Sequence, residues 1–299
     1  MTISPSDTST TTAPGPGPRI DPVLGTVVHV VGARQKRPNL PSTGCPFCVG
    51  GIEAPDPYDV KSFPNRWPAM PGDRCEVVLY TSEHDATFPS LGIDGALKVV
   101  DLWTDRTRTL GARDDVDYVL VFENRGPEVG ATISHPHGQI YAYDHVPARQ
   151  ARRLAGTWRP ESDPDAGAEA RQVVAVDGWS AWVPYAPTFP VALEIAPDHR
   201  LPDLPSMNDG QRRGLATILV DVLTRLDRLF DRPIPYMMWL NQRPTVDDNF
   251  RDAWFNIEIV SPWRAAGVHR FIAAAEVACD EFFNPVVPEE LAERLRALG

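Results

Sequence analysis

The chain has 299 residues, of which 42% are hydrophobic and 23% charged, and its formal net charge is -11. That length and composition suit a globular protein of one large or two ordinary domains with a sizeable core. The acidic balance argues against nucleic-acid binding, which needs clustered Lys and Arg, and the lack of about 18 consecutive apolar residues argues against a membrane-spanning helix.

Residues 1–19 are rich in Ser, Thr, Pro and Gly, with neither a basic start nor an apolar stretch, which predicts a disordered tail and no signal peptide. A short β-rich run at 26–31 precedes a loop bearing Arg34 and Arg37 before Pro38. Cys45-Pro46-Phe47-Cys48 reads as a turn, and 77–80 as a strand ending before Glu83-His84. Residues 94–110 place Leu97, Val100, Leu102 and Leu110 at helical spacing. The apolar run at 118–122 predicts a buried strand, followed by a polar loop at 123–130. Ser134-His135-Pro136-His137-Gly138-Gln139-Ile140-Tyr141 reads as the entry to another strand.

The second half repeats this order. Strands are expected at 179–185 and 191–196, with His199 just after them, then an amphipathic helix at 209–230. Further strands are expected at 237–241 and 254–260, and a C-terminal helix at 289–298. His84 precedes His135 by nearly the same interval as His199 precedes Asn256, which suggests duplication of one α+β unit. A polar stretch at 160–170 reads as the connection. The expected organisation is a tail at 1–19, an N-terminal domain at 20–160 and a C-terminal domain at 161–299.

Two places concentrate chemistry. Cys45 and Cys48 supply two thiolates on one turn, which suits tetrahedral zinc, and His84 and His135 are the natural further ligands. An inert buried pair and a thioredoxin-like redox pair are the alternative readings. In His135-Pro136-His137-Gly138-Gln139, residues two apart on an extended backbone share a face. Two imidazoles then lie together with the Gln139 amide beside them. A histidine that attacks phosphorus needs a neutral ring nitrogen, a partner fixing its tautomer, and donors for the phosphoryl oxygens, of which Gln139 can be one. Gly138 would let the backbone approach a ligand closely.

The segment from His135 to Ala142 resembles the signature of the galactose-1-phosphate uridylyltransferases, a branch of the histidine-triad superfamily. Phe122-Glu123-Asn124-Arg125-Gly126, Gly130-Ala131-Thr132, Arg34 and Arg37-Pro38, Cys45-Pro46-Phe47-Cys48, Asn65-Arg66-Trp67-Pro68 and Trp182-Val183-Pro184-Tyr185 are similar too. The resemblance runs from about residue 20 to 280. It implies an α+β fold made of a duplicated histidine-triad-like unit, with antiparallel sheet and packed helices. His137 would be the nucleophile and Gln139 the stabiliser of its nucleotidyl intermediate. Cys45, Cys48, His84 and His135 would hold a structural zinc. Arg34, Arg37, Phe47, Asn65, Trp67, Asn124 and Thr132 would line the nucleotide and phosphate pocket. Arg270, Phe271 and Glu276 match part of a segment through which one chain of a homodimer completes its partner's sugar site. The substrates would be nucleotide sugars and sugar phosphates, the location cytoplasmic, and neither nucleic acid nor membrane a partner.

The chain departs from the family pattern in places. A second-half His-x-His metal motif is replaced by Phe255-Asn256-Ile257-Glu258-Ile259, and Arg153 stands at a glutamate ligand position, so no second metal is expected. Ala275 replaces a tyrosine beside Glu276, and Arg66 an aspartate beside the uridine site. A phosphorylase or hydrolase using the same histidine, and a non-catalytic zinc-stabilised nucleotide-binding protein, are the alternatives to transfer.

Overall fold

Nine strands form one continuous antiparallel sheet in the computed structural model, which describes residues 17–36, 44–155, 158–160, 168–246 and 250–299. In chain order, β1 (Gly17–Ile20) and β2 (Val27–Val30) make a separate hairpin. The first half of the main sheet holds β3 (Lys61–Pro64), β4 (Cys75–Leu79), helix α1 (Gly92–Gly111), β5 (Tyr118–Arg125) and β6 (His137–Tyr143). Then come α2 (Ala148–Ala155), α3 (Ala168–Arg171) and β7 (Gln172–Val176). The second half continues with β8 (Trp179–Trp182), β9 (Val191–Pro197), α4 (Asp209–Arg228), β10 (Tyr236–Asn241) and β11 (Asn256–Ser261). A small ribbon of β12 (Trp263–Ala265) and β13 (Val268–His269), then α5 (Ala274–Cys279) and α6 (Pro288–Arg296), close the chain.

The sheet order is β3-β4-β6-β5-β10-β11-β9-β8-β7. Read outwards from the central β5–β10 pair, each half runs in the same sequence, so β6 and β11 are counterparts, as are α1 and α4. The duplication expected from the spacing of motifs is thus a property of the topology. The halves share one sheet, joined where Tyr236 to Trp239 pair with Arg125 to Phe122.

Both long helices lie on one face of that sheet. Helix α4 opens with a reciprocal cap: Asn208 Oδ1 accepts from Gln211 N–H at 2.9 Å, and Gln211 Oε1 accepts from Asn208 N–H at 2.8 Å. It buries Leu215, Ile218, Leu219, Val222, Leu223 and Leu226, and α1 buries Val99, Val100, Trp103 and Leu110. Each such side chain contributes roughly 1.5–3 kcal/mol by leaving water. Ile140 and Ala142 of β6 face this core, so the alternate residues His137, Gln139 and Tyr141 face the other way.

Residues 17–19, expected in the tail, are instead strand. The reason is the turn: Asp21 Oδ1 accepts from the N–H groups of Val23 and Leu24, and Gly25 takes the positive φ of 69° that closes the hairpin. Residues 1–16 and most of the expected connection at 160–170 lie outside the described residues. Among the described residues, no helix is long and apolar enough to cross a membrane.

Candidate active site

The loop at 44–54 wraps back on itself. Phe47 N–H donates to Cys45 Sγ at 3.4 Å, and Gly51 N–H donates to the Cys48 carbonyl at 2.8 Å. A Cβ on Gly51 would stand 2.5 Å from the Pro46 carbonyl oxygen, so only glycine permits this wrap. The result turns both sulfurs towards His84 and His135. Cys48 Sγ lies 3.4 Å from His84 Nδ1 and 3.7 Å from His135 Nδ1, and the four donor atoms all fall within 4.8 Å of one another. Tetrahedral zinc with ordinary bond lengths needs sulfur–nitrogen separations of about 3.5 Å, so the residues fit such an ion.

The surroundings of the cluster support that fit. His135, with no exposed surface, has Nε2 2.8 Å from the Thr81 carbonyl, which can only accept. Its proton therefore sits on Nε2 and its Nδ1 lone pair faces the sulfurs. Burial lowers its pKa and keeps it neutral. Tyr58 donates to the Phe47 carbonyl at 2.6 Å and stands 2.9 Å from His135 Nε2. Burial, and then the neighbouring Cys45 sulfur, push the Cys48 thiol up.

His137 opens β6 two residues later. Its Nδ1 lies 2.7 Å from the His135 carbonyl oxygen. An acceptor there fixes the proton on Nδ1 and leaves the lone pair on Nε2. The ring of Phe47 meets it edge-on at 5.1 Å. The Cys/His cluster and the nucleophile candidate thus share one short peptide: His135 gives its ring to the cluster and its carbonyl to His137.

A cavity of about 710 Å³ opens in front of His137 and Gln139, lined also by Phe47, Asn65, Trp67 and Thr132. A second cavity of about 420 Å³ lies on the other side of His137, with Asn124 and Thr132 in its wall. Six of the expected residues are therefore gathered around the His137 imidazole. Arg34 is half-buried in the turn Gly32–Lys36 and lines neither cavity, while Arg37 lies outside the described residues. Arg270 and Glu276 form a buried ion pair with each other, and Phe271 is 78% exposed. Arg270 also donates to the carbonyls of Thr188 and Phe283, and Glu276 accepts from the N–H groups of Ala273 and Phe283. These three residues line neither cavity of their own chain.

Gly138 differs from its expected use. It faces the helices, and a Cβ there would lie 2.2 Å from the Tyr80 hydroxyl and 3.0 Å from the Phe122 carbonyl oxygen. It makes room for the core behind the strand and not for a ligand in front of it. The sequence reading also missed Phe63, Glu53 and Tyr58. Glu53 lines the larger cavity and pairs with Arg66 at 2.9 Å. Nothing local marks it, because its partner sits on another turn.

The comparisons agree with this geometry. Models of the N-terminal and C-terminal domains of galactose-1-phosphate uridyl transferase match residues 60–147 and 134–299. The galactose-1-phosphate uridylyltransferase of Thermotoga maritima is 35% identical, with 93% of this chain and 97% of that protein covered. The Streptomyces lividans protein of the same name is also 35% identical, covering 94% and 86%. A solved structure described as a uridylyltransferase superposes with a TM-score of 0.82 at 27% identity, covering 94% of this chain and 98% of the other. Matches of this length on both halves of the sheet place the chain in the galactose-1-phosphate uridylyltransferase family.

Proposed function

We propose that this enzyme moves UMP between a UDP-hexose and a hexose 1-phosphate through a covalent intermediate on His137. The observation that carries the reading is the 2.7 Å contact of His137 Nδ1 with the His135 carbonyl, which presents a neutral Nε2 to the cavity. In the first half-reaction the Nε2 lone pair forms a bond to the α-phosphorus. The bond from that phosphorus to the bridging oxygen breaks, and hexose 1-phosphate leaves with the electron pair. The ring becomes cationic, and its Nδ1–H remains bonded to the carbonyl, which steadies the charge. In the second half-reaction a phosphate oxygen of the incoming sugar phosphate attacks, the nitrogen–phosphorus bond breaks, and the neutral imidazole returns. No proton is exchanged over the cycle.

Cys45, Cys48, His84 and His135 would hold zinc, which supplies rigidity to the peptide that carries His137 and takes no part in the transfer. Phe47 and Trp67 would receive the nucleoside, with Asn65 beside it against Gln139, and Asn124 and Thr132 would face its phosphates. The enzyme acts as a homodimer on this reading. Phe271, Ile272, Val277 and Phe283 are exposed apolar side chains beside the Arg270–Glu276 pair, and a second copy covering them would receive that segment at its own sugar site. Free thiol ligands need a reducing compartment, which favours the cytoplasm.

The test is intact mass spectrometry after incubation with UDP-glucose or UDP-galactose and no acceptor. One added UMP, absent in His137→Ala, is the expected result. A chase with hexose 1-phosphate, inorganic phosphate or buffer then separates transfer from phosphorolysis and hydrolysis. An adduct only with an ADP- or GDP-sugar would keep the chemistry and change the base. No adduct with any nucleotide sugar would sink the reading.

A further inference from the structure

The Gln139 amide has a donor end and an acceptor end, and only the donor end can stabilise a phosphoryl oxygen. A backbone N–H decides which end faces the cavity. Trp67 N–H can only donate, and it meets Asn65 Oδ1 at 2.9 Å. The Asn65 oxygen is therefore turned towards Trp67 and its NH2 group away from it. That NH2 group donates to Gln139 Oε1 at 3.2 Å. With its oxygen engaged, Gln139 keeps its Nε2 hydrogens for the cavity that it lines together with His137 and Asn65.

The sheet makes this reach possible. Gln139 of β6 is paired with Val77 of β4, and Val77 with Phe63 of β3, so the strand that ends just before Asn65 is two strands away from Gln139. Strands two apart are separated by roughly 10 Å, which Gln and Asn span together only over a short side chain such as Val77. The backbone holds Asn65 in place as well, since its N–H donates to the Cys75 carbonyl at 2.8 Å.

We propose that Asn65 is a positioning residue: through the relay Trp67 N–H, Asn65, Gln139 it holds the Gln139 amide with its donor end towards the phosphoryl group on His137. The inference rests on the reading of His137 as the carrier of the nucleotide. Asn65 thereby acts through Gln139, whatever else in the cavity touches the substrate.

A double-mutant cycle tests this, using wild type, Asn65→Ala, Gln139→Ala and the double variant. It is run on the rate of adduct formation from UDP-glucose and on UMP affinity by calorimetry. Asn65→Ala is expected to slow adduct formation by about tenfold or more in the wild-type background and by less than about twofold once Gln139 is alanine. Melting temperatures should agree across the four proteins. Asn65→Asp should be slower than Asn65→Ala, because a carboxylate still accepts from Trp67 N–H but draws the donor end of Gln139 onto itself. Equal losses in both backgrounds would overturn the proposal and make Asn65 a direct substrate contact. If the wild type forms no adduct, the functional reading fails by itself. The calorimetric cycle then decides the positioning: non-additive losses in UMP affinity support it, and additive losses overturn it.

Discussion

Strands β6 and β11 hold equivalent places in the two halves of one sheet, yet one faces a cavity and the other a plug. Each begins with a residue aimed at the face away from the helices: His137 in β6 and Asn256 in β11. Two residues on, Gln139 corresponds to Glu258. In front of β6 a loop folds around its own cysteines and leaves about 710 Å³ of space. In front of β11 lies α2, whose arginines fill the equivalent volume. Arg153 donates to Asn256 Oδ1 at 3.0 Å and to Glu194 at 2.8 Å, and Arg149 grips both oxygens of Glu258 at 2.9 and 2.7 Å. Asn241 and Trp239 add donors to the same carboxylate. Among these groups only Asn241 Oδ1 is buried without a partner. A framework that supports nucleotide chemistry in one copy is closed by ion pairs in the other. The strands are alike, and what covers them decides the function.

The sharpest way to break that comparison is to exchange the two key positions. His137→Ala should abolish labelling by UDP-sugar while leaving the melting temperature close to wild type, since the ring is half-buried at a cavity wall. Asn256→His should gain no label at all, because Arg153 occupies the place a phosphate would need. A nucleotide adduct on the second half would refute the closed reading of β11. Next in size is Arg153→Ala. It leaves the Glu194 carboxylate buried without its partner, while Asn256 Oδ1 still accepts from Asn241 at 2.8 Å, and removing one side of such an ion pair costs about 3–5 kcal/mol. Urea unfolding should show this as a lower midpoint with an unchanged slope, and whatever protein remains folded should label His137 normally. A loss below about 1 kcal/mol would mean that water, not the arginine, satisfies that cluster.

The seam between the halves gives a pH test of opposite sign to that of the plug. Glu123 on β5 is buried against the core, with Tyr236 donating to it at 2.8 Å and its Oε2 without a partner. Burial raises its pKa from 4.5 to about 7. A carboxyl whose folded pKa is raised binds its proton more tightly when folded. Its stabilising effect is therefore complete below pH 4.5 and is lost as pH rises through about 7. The loss amounts to roughly 3–4 kcal/mol. Glu123→Gln should flatten the stability profile between those limits, and a profile unchanged by that substitution would show the carboxyl to be ionised in the folded protein.

Much of the first half could be read from the sequence because its polar residues are crowded where a strand should be apolar. His135, His137 and Gln139 within five residues, and Cys45 and Cys48 on one turn, announce chemistry by composition alone. The strand at 118–125 was legible only to residue 122, since Glu123, Asn124 and Arg125 look like loop until β10 pairs with them. Strands β3 and β7 carry no strong alternation, and the pairing that makes them strands comes from neighbours distant in the chain. Gly138 was assigned to the ligand side because nothing local says that Tyr80 lies behind it. The plug was invisible for the same reason. Arg153 reads from the sequence only as a departure at a glutamate ligand position, and Arg149 carries no signal at all, until their partners arrive from β9 and β11, and the relay from Asn65 to Gln139 likewise crosses a strand.

The smallest expected effect concerns how that plug is held. Arg149 is half exposed, so water weakens its pairing with Glu258, and its guanidinium also lies 5.2 Å over the ring of Trp239. Burial alone would raise the Glu258 carboxyl. The bonds from Arg149 and the charges of Arg153 and Arg149 outweigh it, and the net direction is down. A lowered folded pKa means stability present above the ordinary carboxyl value of 4.5 and lost as pH falls below it. Arg149→Met keeps the stem over Trp239 and removes the fork. It should cost about 1 kcal/mol near pH 7. The Glu258 carboxyl would then rise, and the gap between variant and wild type in urea midpoint should narrow on acidification towards pH 4. Curves that stay parallel from pH 7 to pH 4 would show that α2 is held over β11 by packing on Trp239, and that the charge of Arg149 contributes little to closing the second half.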